Sequence, residues 1–264
     1  MQIYQDMNIG TAKVTKEETQ GIKHYMIDIV SPSVRYSVAN YKKQAEECIR
    51  KIIEQGKIPI IVGGTGLYID TLIYGIEFQS QEIDEEYRNE LEKQDLMELY
   101  KKANEIDPEA MKKISVNDRK RIIRVLEIYH KTGKTKTQQD EESRKKVKYD
   151  YKVFAINMDR QKLYQRINYR VDLMIEQGLI EEVQSLLSKY KELPTAMQGI
   201  GYKEVVEYLE NKTTKEEMIE KIKMETRRYA KRQLTWFRKN KEVIWLDAEN
   251  GIESNAQYII DKVH

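Results

Sequence analysis

Residues 58–68 read Ile58-Pro59-Ile60-Ile61-Val62-Gly63-Gly64-Thr65-Gly66-Leu67-Tyr68. A short, wholly apolar run with no polar alternation suits a strand covered on both faces of a parallel sheet. The Gly-rich turn behind it lets backbone N–H groups approach an anion, and a helix starting at Leu67 adds its positive end. Working upstream, Ser37 caps a helix predicted to run through Gln55 and to end at Gly56. Its apolar stripe is Val38, Tyr41, Ala45, Cys48, Ile49, Ile52 and Ile53. Before it, His24-Tyr25-Met26-Ile27-Asp28-Ile29-Val30 reads as a strand. Strand, helix, strand, Gly-rich turn, helix is an α/β pattern.

Downstream the texture changes. From about Asp84 to Asp140 only helices are predicted. Asp107-Pro108 opens one with proline at the first helical position. Asn117 caps the next, which ends near Gly133. Lys152 to Asn157 returns to strand character. Helices follow from Asp159, from Leu179, near Tyr202 and from Thr214, where Thr214 and Glu217 make a capping box. Val243 to Asp247 is a last strand and Asn255 to Val263 a closing helix. The expected organisation is an α/β core from residues 1–78 and 148–264, interrupted by an all-helical insertion at 79–147.

Composition narrows the function classes. The 264 residues carry 46 Lys+Arg against 44 Asp+Glu, so bulk charge (+2) selects no partner and local clusters must. The lone Cys48 excludes an intrachain disulfide framework and suggests a reducing compartment. No apolar run approaches the ~18 residues of a membrane span, and no signal peptide is visible, so a cytoplasmic protein is expected. His24, His130 and His264 are isolated, which leaves no zinc spacing and no Ser–His–Asp arrangement.

Three patterns point to anion or RNA chemistry. In the Gly63–Gly66 turn Thr65 adds a hydroxyl, but no Walker lysine follows; glycine there could equally serve to avoid a clash. On the helix from Asp159, Lys162, Arg166 and Arg170 share one face, and both arginines lack acidic residues at helical spacing. Such like-charge pairs cost roughly 0.2–0.5 kcal/mol each, and an anion between them reverses the sign. A solvated basic face is the plainer reading. Thr226-Arg227-Arg228-Tyr229-Ala230-Lys231-Arg232-Gln233-Leu234-Thr235-Trp236-Phe237-Arg238 interleaves basic and aromatic residues, with Arg232 spaced to stack on Trp236. That mixture suits phosphates and unstacked bases. Arg119-Lys120-Arg121-Ile122-Ile123-Arg124 is weaker, because Asp118 and Glu127 can pair with Arg121 and Arg124. Gln198-Gly199-Ile200-Gly201-Tyr202-Lys203 is a Gly-flanked helix entry.

Taken in order, these segments resemble the tRNA dimethylallyltransferase family. The likeness runs through Gln2-Ile3-Tyr4, Met7 to Lys13, His24 to Asp28, Tyr36 to Ala39, Gly63 to Tyr68, Asn117-Asp118 with Arg121 and Arg124, Arg166-Ile167-Asn168, Gly199 to Lys203, and Ala230 to Gln233 with Trp236. The resemblance implies transfer of a dimethylallyl group from its pyrophosphate to the exocyclic N6 of the adenine 3′ to the anticodon. It implies a P-loop NTPase-like parallel sheet carrying the helical insertion, which would grip the anticodon stem-loop of tRNA. Thr65 would lie beside the reacting groups, with Arg166 and Arg170 facing the leaving pyrophosphate. Met1 and Gln2 would belong to the element that holds the adenine. Arg88, Lys120 to Arg124, Gln198 to Lys203 and Thr226 to Gln233 would contact tRNA. A monomer is expected, with no membrane partner.

One departure stands against that likeness. The family's first strand, P-loop, following helix and general-base aspartate would precede Met1. They would supply the pyrophosphate cradle, the ligands of Mg²⁺ and the base. The sheet would also lose a middle strand, exposing its neighbours. A start at an internal methionine accounts for this better than gene decay, because the remaining motifs are intact. The rival readings are a prenyltransferase for free adenylate, a non-catalytic tRNA-binding remnant and, more distantly, a small-molecule P-loop kinase. The 264-residue chain alone is expected to be inactive. Turnover on unmodified tRNA near that of a full-length relative, in a prenyl-transfer assay, would refute this.

Overall fold

The computed structural model describes residues 1–76, 84–143 and 149–263. The chain divides into two compact units, Met1–Gly66 with Tyr151–His264, and Leu67–Asp150. The expected boundaries at 78/79 and 147/148 fall outside the described residues.

In the first unit, helix α1 spans Val38–Glu54 and ends in a turn at Gln55 and Gly56. Ser37 accepts from the Asn40 N–H and Asn40 reaches back to the Ser37 N–H, so both ends of the first turn are satisfied. Ala45 and Ile49 of its stripe are buried. Strand β1 (Phe154–Asn157) pairs in parallel with β2 (Ile244–Asp247), from Phe154 opposite Ile244 to Asn157 opposite Asp247. Between them come α8 (Arg160–Glu176), α9 (Leu179–Lys189), α10 (Tyr202–Leu209) and α11 (Lys215–Phe237). Thr214 and Glu217 form the capping box of α11. The last helix, α12, covers Ile252–Val263 and starts earlier than Asn255. The core joins Tyr4, Met7 and Tyr36 to Val171, Leu179, Val183, Tyr202, Met218 and Ile222, so the N-terminal loops are clamped by the C-terminal helices.

Two expected strands are not formed. Residues 24–30 meet residues 2–5 through backbone hydrogen bonds and one isolated parallel bridge, Tyr4 to Val30, without extending into a ladder. Met26 (φ 63°) and Asp28 (φ 54°) are left-handed, which interrupts an extended pleat. Residues 58–62 carry no strand, and Ile60 and Val62 are 82% and 90% exposed. A strand exists only as part of a ladder, and among the described residues none runs beside this segment. The parallel sheet is therefore two strands, in a mostly helical α/β chain. No helix among the described residues is long and apolar enough to cross a membrane.

The second unit is helical: α3 (Glu85–Glu92), α4 (Leu96–Ile106), α5 (Pro108–Met111), α6 (Arg119–Thr132) and α7 (Lys136–Ser143), with α2 (Gly66–Ile73) leading into it. Its core is Leu91, Leu99, Ala103, Met111, Ile122, Ile123 and Leu126. Asp118, not Asn117, caps α6, because its carboxylate is the group that accepts the Arg121 N–H. Gly133 (φ 67°) closes α6, as the sequence suggested.

Two buried acids hold this unit. Glu127 receives Arg88 through Nε (2.6 Å) and Nη2 (3.0 Å), with Arg124 at 3.4 Å. Asp107 is 2% exposed and accepts from the Ala110 N–H (3.0 Å), the Thr137 N–H (2.8 Å) and the Thr137 hydroxyl (2.7 Å), tying α5 to α7. Burial by itself would raise the Asp107 carboxyl, but the hydrogen bonds from Thr137 and Ala110 outweigh it and hold it below the ordinary carboxylate value. A depressed folded pKa contributes stability above the unfolded value, which is lost as pH falls through the folded one. Asp107→Ala should thus cost about 2 kcal/mol at neutral pH. The gap to the native chain should narrow below about pH 4; thermal melts of both across pH 3–7 check it.

Candidate functional site

The Gly63–Gly66 turn is built for close packing. None of its glycines is left-handed. Instead, a Cβ at Gly66 would lie 2.4–2.6 Å from the Trp236 ring, and one at Gly64 would lie 1.7 Å from Nε2 of Gln233. The absent side chains let the turn rest on the C-terminal third of α11. Thr65, between them, is exposed. The structure thereby brings the Thr65 turn to Gln233 and Trp236, two of the sequence-derived positions.

Helices α8 and α11 pack antiparallel. Arg227 donates to Oδ1 of Asn168 (2.6 Å), and Lys223 pairs with Asp172 (2.7 Å) one turn back. Lys231 continues the same face of α11 one turn beyond Arg227, exposed to solvent. Arg166 and Arg170 sit two residues either side of Asn168, roughly 200° round the helix from it, so they face away from α11. Both are exposed, and neither has a carboxylate partner among the described residues. Arg166 reaches Sδ of Met158 (4.0 Å), at the carboxyl end of β1. Lys162, the third cation of that row, is neutralised by Glu249 (2.5 Å). Among the described residues no hydrogen bond joins Thr65 to Arg166, Arg170 or Lys231.

The remaining cations of α11 differ in what they touch. Arg228 is paired with Glu225 (2.6 Å). Arg232 lies 5.6 Å from the Tyr229 ring. The Trp236 ring meets Phe237 edge-on (4.8 Å, 77°) and backs the Gly-rich turn. Thr226 spends its hydroxyl on the Ile222 carbonyl (2.7 Å), and Ala230 is half-buried.

The N-terminal loop is fixed by a residue that sequence reasoning missed. Glu182, on the first turn of α9, accepts the N–H of Asn8 (2.7 Å), Ile9 (2.7 Å) and Gly10 (3.1 Å), and the Tyr202 hydroxyl (2.7 Å). Burial first, and then the Glu182 carboxylate, push the Tyr202 hydroxyl far above its ordinary value, so it stays a donor. A Cβ at Gly10 would lie 2.6–2.8 Å from the Tyr202 ring. Gly201 (φ 94°) takes a left-handed turn to start α10, and its N–H is held by Glu204 (2.8 Å). At the other end of α9, Lys189 (2.6 Å) and Tyr190 (2.5 Å) grip Asp6. Within the loop, Gln2 donates through Nε2 to the carbonyls of Thr11 and Ala12, both at 3.1 Å. Met1 lies against Gly199. Glu182 is one of two acids in the first turn of α9; its loop partners lie 172 to 174 residues away, and no local spacing betrays them.

Several expected contact residues are interior. Tyr202, Ile122 and Ile123 are buried, so they could act on RNA only by placing their neighbours. Lys203, Gln198, Lys120 and Arg121 are exposed, while Gly199 and Ile200 are half-buried. Arg121 pairs with Asp118 and Arg124 with Glu127, as the sequence allowed, and Arg88 joins Arg124 on Glu127. Among the described residues no group of three or more His, Cys, Asp or Glu is placed to hold a metal ion.

The Gly10 contact sets an order of severity. Tyr202→Phe removes one donor and keeps the ring, at about 1 kcal/mol. Gly10→Ala forces a buried ring to move and should cost about 2–3 kcal/mol. Urea unfolding followed by tryptophan fluorescence should show the larger midpoint drop for Gly10→Ala.

The IPP transferase family model matches residues 2–240. A tRNA dimethylallyltransferase of Bacillus mycoides is 47% identical over 269 residues, spanning 100% of this chain and 85% of that protein. A crystal structure of a tRNA isopentenylpyrophosphate transferase from Staphylococcus epidermidis superposes with a TM-score of 0.71 at 42% identity, over 100% of this chain and 88% of that one. A structure of a eukaryotic dimethylallyltransferase acting on tRNA gives a TM-score of 0.77 at 32% identity, over 94% of this chain and 65% of that one. With likeness running the length of both its units, this chain belongs to the IPP transferase family.

Proposed function

We propose that the chain serves prenyl transfer from dimethylallyl pyrophosphate to the exocyclic N6 of the adenine 3′-adjacent to the anticodon in tRNA. The observation that carries this is the 47% identity over the full chain to a protein named for that chemistry. The surface of the first unit supports it. Exposed Arg166 and Arg170 lack carboxylates among the described residues, and Arg166 reaches Met158 at the carboxyl end of β1, a suitable place for a departing pyrophosphate. Lys231, Arg232 and the half-buried aromatics of α11 suit RNA backbone and an unstacked base. Thr65 sits on the turn pressed against that helix and is the hydroxyl offered to the reacting groups. In the second unit, exposed Lys120 and Arg121 start α6, where they can follow RNA phosphates. The P-loop-like core, the insertion's grip on the anticodon stem and a cytoplasmic setting belong to the same reading. Mg²⁺ would accompany the pyrophosphate. The described residues offer it no set of carboxylates, and no step is routed through it.

The rival reading, an adenylate prenyltransferase, needs neither the helical unit nor the spread of cations. Filter binding separates the two: an anticodon stem-loop RNA should be retained at micromolar protein and AMP should not. Retention of AMP alone would overturn the tRNA reading. Arg166→Ala and Arg170→Ala should each weaken inorganic pyrophosphate binding by about tenfold, as expected for a lost charge-assisted contact. Isothermal titration reads this, and unchanged affinity in both variants would remove the arginines from the site.

A further inference from the structure

The Glu182 cluster and Gln2 form one connected device. Glu182 takes three consecutive backbone N–H groups and a phenol on its two oxygens: Asn8 and Ile9 on Oε2, Gly10 and Tyr202 on Oε1. The turn so held is closed on itself by the Ala12 N–H to the Ile9 carbonyl (2.9 Å) and the Lys13 N–H to the Asn8 carbonyl (2.9 Å). Ala12 is left-handed (φ 46°), a conformation that alanine rarely adopts unaided. Its carbonyl and that of Thr11 then take both protons of the Gln2 amide. The amide is oriented as a result: its nitrogen is used up, and among the described residues nothing donates to Oε1. Lys13 adds a strut, with Nζ on the Tyr4 carbonyl (2.8 Å) and on Asp28 (2.5 Å). What Gln2 presents is an amide oxygen, an acceptor with a fixed direction, and the complementary group on a base is an exocyclic amine.

We propose that Glu182 is a positioning residue for the acceptor base: it locks the turn whose carbonyls orient Gln2, so that Gln2 Oε1 reads the adenine amine. The inference rests on the proposed function and on the family resemblance, which puts Gln2 in the element that holds that adenine. It adds that base discrimination is set from α9, by a side chain that never meets the RNA. The geometry asks for a carboxylate, since all four groups around it donate. A neutral amide would turn an N–H toward one pair of them.

The test compares two stem-loop RNAs that differ only at the acceptor position, one with adenosine and one with purine riboside, which lacks the amine. Filter binding with the full chain gives the ratio of their dissociation constants. The native chain should prefer adenosine by about fivefold, the worth of one hydrogen bond. Gln2→Ala should bring the ratio to near one. Glu182→Ala should do the same, and Gln2→Ala with Glu182→Ala should lower it no further. Glu182→Gln, which keeps the side chain's shape and one acceptor oxygen, should fall between and guards against a variant that does not fold. If the Glu182 variants lose affinity equally for both RNAs and keep the native ratio, Glu182 is merely structural and the proposal is overturned. A native ratio of one overturns it as well. If the native chain binds neither RNA, the proposed function itself fails and takes the inference with it.

Discussion

A carboxylate surrounded by four donors, Glu182, is the constraint on which the first unit turns. Loops satisfy their backbone N–H groups with water unless something withdraws them from it. Here three adjacent N–H groups converge on one acceptor, in the manner of an anion nest, with the anion supplied by a helix instead of a ligand. The result ties the first residues of the chain to α9 and α10. It lets Tyr4 and Met7 enter a core otherwise built from α8 to α11.

The same logic of supplied charge recurs at the helix pair α8 and α11. Asp172 and Asn168 satisfy Lys223 and Arg227 along the seam, leaving the cations beyond it uncompensated. Arg166 and Arg170 stand on the far side of α8 and Lys231 and Arg232 further along α11, each without a carboxylate among the described residues. On the proposed function, this uncompensated positive charge is available to a pyrophosphate and to RNA phosphates.

The second unit solves a different problem. Its core is apolar and its helices are short, so the buried acids carry specificity of arrangement. Asp107 joins α5 to α7, and Glu127 collects Arg88 from α3 and Arg124 from its own helix. A buried carboxylate with two or three donors is costly to misplace. These contacts therefore define which helix lies beside which.

Read without coordinates, the chain's local chemistry was legible. The Ser37 and Thr214 caps, the helix start at Asp159, Pro108 at a first helical position and the Gly133 terminator all depend on neighbours within a turn or two. So did the unpaired arginines, because missing acids at i±3 and i±4 can be counted. The segments 24–30 and 58–62 were strand-like in composition yet formed no strand, since pairing is decided by what lies alongside and not by the run itself. The Gly-rich turn was visible, but not that its glycines make room for Gln233 and Trp236. Glu182 was indistinguishable from any acid at a helix start until folding brought residues 8–10 to it. Sequence by itself determined the helices, their ends and their chemistry, because those are set by contacts a few residues apart. Only the tertiary structure decided which carboxylate holds which loop, because that partner is chosen across the whole length of the chain.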